Sequence, residues 1–148
     1  MSFKLQNASS LLEVFKKREK NILITDTIKK RKITYEQFLN FSSNILNKLK
    51  TEKKIKPGDK VLISMENSVE FLLLIFACLL GGYVAVPIDP NLPEDRYNNF
   101  KKMIKPKIVI KKIKIKKNIK KIKEKLSFSK KPFLILFTSG TTGEPKGI

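Results

Sequence analysis

Residues 133–147 read Phe133-Leu134-Ile135-Leu136-Phe137-Thr138-Ser139-Gly140-Thr141-Thr142-Gly143-Glu144-Pro145-Lys146-Gly147. Phe133 to Phe137 is a short, wholly apolar run, the pattern of a strand buried on both faces. A loop then follows in which Gly140, Gly143 and Gly147 let the backbone turn sharply and approach a ligand closely. Exposed N–H groups in such a loop form a concavity for anions. The hydroxyls of Thr138, Ser139, Thr141 and Thr142 add uncharged donors, and Lys146 adds a full positive charge on a long stem. A loop placed directly after a buried strand sits where open α/β sheets hold their ligands. The usual P-loop needs Gly, four residues, then Gly-Lys-Ser/Thr. Here Pro145 precedes Lys146 and Gly147 follows it, so the segment is a phosphate-binding loop of another kind. A plain Gly/Thr-rich surface turn is the bland alternative, which the length and specificity of the string disfavour.

Upstream, helical and extended patterns alternate. Ser10 to Glu13 fits a capping box that opens a short helix, and Asn21 to Thr25 reads as a short strand. Thr34-Tyr35-Glu36-Gln37 is a second capping box. Phe38, Phe41, Ile45 and Leu49 follow it at helical spacing, which predicts a helix near 35–50 with one apolar stripe. Lys56 to Asp59 is a turn, and Val61 to Met65 a buried strand. Ser68 caps the next helix, Glu70 suits its first turn, and Phe71 to Leu80 is apolar on every side. That apolar run is about half the ~20 residues a membrane span needs, so a covered core helix is expected. Gly81 is placed to supply a left-handed C-terminal cap. Tyr83 to Val86 reads as a strand, Glu94-Asp95 as the opening of a short helix, and Lys107 to Ile110 as a further strand. The alternation predicts an α/β fold: a largely parallel sheet with helices on its faces. No internal repeat or domain boundary interrupts it.

Lys plus Arg number 32 against 13 Asp plus Glu, a formal net charge of +19 over 148 residues. Such a balance points to nucleic acid or an anionic membrane. The positive charge is nearly all Lys, however, with Arg only at 18, 31 and 96. Lys lacks the bidentate fork with which Arg reads bases. Abundant Lys, Ile and Asn beside scarce Ala is the profile of A/T-rich coding. Within the Lys-rich stretch 111–131, Ile115, Ile119, Ile122 and Leu126 fall at helical spacing, which allows a basic amphipathic helix; no aromatics interleave to stack bases. Histidine is absent and Cys78 is the only cysteine, which excludes an intrachain disulfide and a His/Cys metal site. With no signal-peptide apolar core after Met1, the expected location is cytoplasmic.

The string Thr138 to Lys146 resembles, position by position, the phosphate-binding signature of the adenylate-forming (AMP-binding) superfamily. That superfamily holds acyl-CoA synthetases, the adenylation domains of nonribosomal peptide synthetases, D-alanine–carrier-protein ligases and firefly luciferase. Ala77 to Pro90 resembles its helix–Gly–strand segment ending in Pro-Ile-Asp-Pro. Ile33 to Phe38 is similar to its Thr-Tyr-x-Glu start, and Lys56 to Val61 and Glu66 to Ser68 fall in the expected order. The stretch 111–131 matches least.

The resemblance implies an enzyme that activates a fatty, aryl or amino acid with ATP to an acyl-adenylate. The acyl group would pass to the thiol of CoA or of a phosphopantetheinyl carrier protein. Thr138, Ser139, Gly140, Thr141, Thr142, Gly143 and Lys146 would hold the β- and γ-phosphates, with Mg²⁺ accompanying ATP. Residues 1–148 would form an incomplete N-terminal part of the synthetase domain, inactive alone because the family's adenine, acyl and catalytic-lysine elements lie further on. A second chain supplying the missing part is a further expectation of that reading. Two alternatives stand beside it: a small Lys-rich protein binding nucleic acid or anionic membrane non-specifically, and a nucleotide-binding protein without catalysis.

Overall fold

The computed structural model describes residues 8–115, 132–138 and 146–147. In chain order the elements are α1 (Ala8–Lys17), β1 (Ile22–Asp26), β2 (Arg31–Thr34), α2 (Tyr35–Thr51), β3 (Lys60–Ile63), α3 (Val69–Gly81), β4 (Val84–Pro87), α4 (Glu94–Ile104), β5 (Ile108–Ile110), β6 (Phe137–Thr138) and β7 (Lys146–Gly147). The central sheet is parallel, in the order β4-β3-β5, with Leu62 paired to Val86 on one side and Val109 on the other. Leu134 adds a single parallel bridge beyond β4: Ala85 N–H donates to the Phe133 carbonyl (2.8 Å) and Ile135 N–H to the Ala85 carbonyl (2.9 Å). The expected largely parallel α/β sheet is therefore present.

Alternation along each strand sorts the core into two layers, because successive side chains point to opposite faces. Val61, Ile63, Ala85, Ile110 and Leu134 pack with α1, α2 and α3. Leu62, Val84, Val86, Val109, Ile135 and Phe137 pack with α4 through Tyr97, Phe100 and Ile104. The sheet thus has helices on both faces, as parallel sheets require.

Local signals explain most boundaries. Thr34 accepts from the Gln37 N–H while the Gln37 side chain returns to the Thr34 N–H, a complete capping box for α2. Ser68 Oγ accepts from the Phe71 N–H at 3.2 Å and starts α3. Helix α1 begins by Ala8, so Ser10 lies inside it rather than at its cap. The left-handed residue ending α3 is Gly82 (φ 66°), not Gly81; Tyr83 N–H reaches back to the Cys78 carbonyl and Gly82 N–H to Leu79. The apolar α3 is covered on most sides, with Leu72, 46% exposed, as the exception. Segment 133–137 is not the doubly buried strand its composition predicts. It lies at the sheet edge, held by one bridge, with Leu136 49% exposed, because no further strand among the described residues covers its outer side. Residues 111–115 are not helical, and the remainder of the Lys-rich stretch lies outside the described residues.

A small antiparallel hairpin, β1–β2, stands apart from the parallel sheet. An ion-pair cluster ties it to the start of α3. Arg31 bridges Asp26 (3.0 Å) and Glu70 (2.9 Å), and Lys29 Nζ also reaches Glu70 at 2.8 Å. Partial burial alone would raise the Glu70 pKa, but hydrogen bonds from Lys29 and Arg31 outweigh it and hold the carboxyl below its usual range. The Lys29 N–H and the Arg31 guanidinium likewise lower Asp26. Both groups bind protons less readily folded than unfolded, so stability is full above the ordinary carboxylate range and falls as pH drops through the lowered values. With no histidine in the chain, urea midpoints should be flat from pH 8 to about pH 5 and decline below about pH 4.5. In Glu70→Gln the decline should shrink; an unchanged acid limb would show that the cluster does not set it.

Candidate phosphate-binding site

Parallel strands release their following loops at one edge of the sheet. Here residues 64–68 follow β3, 88–93 follow β4, and the glycine loop follows the edge segment beside β4. Two observations position the residues that flank it. Phe137 meets Phe100 of α4 edge-to-face, with centroids 5.0 Å apart, which seats the incoming chain on the α4 layer. Then β6 and β7 form an antiparallel pair in which Thr138 opposes Lys146 and Phe137 opposes Gly147. The ladder thus pairs the two strands that flank residues 139–145 in the sequence. Of the site residues expected from sequence, Thr138 and Lys146 are brought opposite one another. Ser139, Gly140, Thr141, Thr142 and Gly143 lie outside the described residues.

Sequence reading missed the residues that brace this edge. Tyr97, Phe100 and Ile104 recur at helical spacing along α4, a pattern that announces the anchor for Phe137. In the neighbouring loops, Asn91 N–H donates to Asp89 Oδ1 at 2.8 Å, and the Asn91 side-chain amide donates to Glu66 Oε1 at 3.1 Å. That bond joins the loops after β3 and β4. No group of three metal-ligating side chains occurs among the described residues. Cys78 is fully buried in α3, and burial pushes its thiol up to about 12, so it cannot serve as a nucleophile near neutral pH. No helix among the described residues is long and apolar enough to cross a membrane.

An open, parallel α/β sheet with loops gathered at its carboxyl edge is the class of fold that holds ligands at that edge. Comparison with known proteins sharpens it. The family model described as AMP-binding enzyme matches residues 13–131. Among curated proteins, gramicidin S synthase 2 of Brevibacillus brevis is 32% identical over 133 residues, covering 79% of this chain and 3% of that protein. Bacitracin synthase 2 of Bacillus licheniformis is 30% identical, with 80% and 5% covered. Among solved structures, the N-terminal subdomain of Klebsiella oxytoca NpsA, in complex with 3-hydroxybenzoyl-AMSN, superposes with a TM-score of 0.74 at 23% identity, covering 92% of this chain and 38% of that one. McyG A-PCP, complexed with phenylalanyl-adenylate, gives 0.72 at 22% identity, covering 100% and 28%. This chain belongs to the AMP-binding enzyme family, the adenylate-forming superfamily. It spans a few per cent of the length of those curated relatives.

Proposed function

We propose that this chain supplies the triphosphate-gripping part of an enzyme that activates a carboxylate with ATP and passes the acyl group to a CoA or carrier-protein thiol. In this reading Thr138, Ser139, Gly140, Thr141, Thr142, Gly143 and Lys146 cradle the β- and γ-phosphates. Supporting it is the register that sets Lys146 across from Thr138 at the mouth of a glycine loop, at the carboxyl edge of a parallel sheet. When carboxylate oxygen attacks the α-phosphorus, negative charge builds on departing pyrophosphate. Fixed N–H and hydroxyl donors and one ammonium aimed at that group lower the barrier without reorganising. Mg²⁺ would arrive on the phosphate oxygens, its usual mode where a protein provides no dedicated cage. In this reading residues 1–148 belong to the N-terminal part of the synthetase domain, where the nucleotide's phosphate tail is held.

The test uses inorganic tripolyphosphate, which needs no purine pocket. Titration of the 148-residue chain should show saturable binding that Lys146→Ala weakens about tenfold, the loss expected for one charge-assisted contact. Lys32, an exposed lysine of β2, serves as the control for unspecific attraction to a chain of net charge +19. Equal small losses in Lys146→Ala and Lys32→Ala would sink the assignment of the loop.

A further inference from the structure

A groove of about 410 Å³ lies between α2 and β5 with the residues that follow it. β3 and β4 separate it from the edge segment that leads into the glycine loop, so it is no part of the phosphate site. Its helix wall is Phe41, Ile45 and Leu49, and its opposite wall is Ile108, Ile110, Ile113 and Ile115. Every one of these packs on the larger core layer, so the walls are continuous with the interior rather than scattered surface residues. Charge gathers around these apolar walls. Lys48, Lys53, Lys111, Lys112 and Lys114 line the groove, against Glu52 alone. Lys111 lies over the Tyr97 ring at 5.0 Å. Lys48, Lys53, Lys112 and Lys114 have no carboxylate partner among the described residues.

Apolar walls beside cations that no described carboxylate neutralises match a molecule that is greasy along its length and negative at one end. We propose that this groove binds a fatty carboxylate. Its volume falls within the range of small-molecule sites. At the ~30 Å³ that a water-sized group occupies, it holds an aliphatic chain of about a dozen carbons. The chain would lie along Ile45, Leu49, Ile110 and Ile113, with the carboxylate among Lys48, Lys53, Lys112 and Lys114. Residues 116–131, which follow directly on the lining, are a weaker match. They carry eight lysines against Glu124 alone, and like charges would meet across the opening.

Laurate below its micelle concentration, titrated into the full 148-residue chain, tests this. The expected result is saturable binding of one molecule per chain, weakened by added salt. Lys48→Ala combined with Lys112→Ala should raise Kd about tenfold, and Lys32→Ala should leave it unchanged. Asn44→Trp, which fills the groove from the helix wall, should abolish binding while circular dichroism reports an intact fold. Dodecyltrimethylammonium should not bind. Equal binding of the cationic amphiphile, uptake that never saturates, or unaltered affinity in Asn44→Trp would each overturn the proposal. So would failure of laurate to bind, the outcome expected if residues 116–131 occupy the groove.

Discussion

Leu62→Ala is expected to lower the unfolding free energy by about 3 kcal/mol, the middle of the range for a fully buried leucine. Leu62 is 0% exposed and sits at the centre of β3, between Val86 of β4 and Val109 of β5. Its side chain faces α4 in the layer that also holds Val84, Ile88, Ile104 and Phe137. Strands on both flanks hold the backbone, so the layer cannot collapse into the space, and a large part of the cavity cost should remain. The effect should reach the loop as well as the core. Phe137 is seated on Phe100 in that same layer. The Ile135 N–H, bonded to the Ala85 carbonyl, should therefore exchange faster in the variant than amides of α2, which pack on the opposite face. Urea unfolding with an unchanged m-value measures the first claim and amide exchange the second. A loss under 1 kcal/mol would mean that α4 settles onto the sheet freely and does not brace the loop.

That dependence on two faces explains what was legible in the sequence. The helices α2 and α3 are written in local chemistry: Thr34 with Gln37, and Ser68 with the Phe71 N–H, are caps that act within a few residues. The strands Val61–Ile63 and Val84–Val86 are continuous apolar runs, as buried parallel strands must be. The family was legible because the string Thr138 to Lys146 and the segment Ala77 to Pro90 carry specific motifs. The Thr138–Lys146 register was not, because it depends on how a ladder closes across seven residues.

Long-range placement was hidden for the same reason. Glu70 satisfies a local rule as an acidic residue in the first turn of α3, and that rule conceals its partners Lys29 and Arg31, some forty residues earlier. Phe133–Phe137 reads as buried on composition alone. Whether it is buried depends on whether another strand lies beside it, which no local pattern encodes. The groove beside β5 could not be read either. Its walls come from residues about sixty positions apart, and its lysines look like ordinary solvated charge until Ile108, Ile110 and Ile113 are seen among them.

The adjacent glycines ending α3 make a second strong expectation, because each is required for a different reason. Gly81 is the last helical residue, where α3 packs on α2. A Cβ built there would lie 2.6 Å from Leu46 Cδ1 and 2.6 Å from Tyr83 Cε2. Leu46 and Tyr83 are both buried, so neither can swing into solvent to make room. Gly81→Ala should therefore cost about 2 kcal/mol of overpacking, reduced slightly by the better helix propensity of alanine. Gly82 has a φ of 66°, and Gly82→Ala should cost about 1 kcal/mol through backbone strain alone. D-alanine, which adopts positive φ readily, separates the causes. Introduced by semisynthesis at 82 it should restore stability, whereas at 81 it should not, because the helical φ of that residue disfavours a D side chain. A loss for Gly81→Ala no larger than for Gly82→Ala would show that α2 and α3 have room to separate. The close helix contact would then be no constraint on the sheet edge that carries the loop.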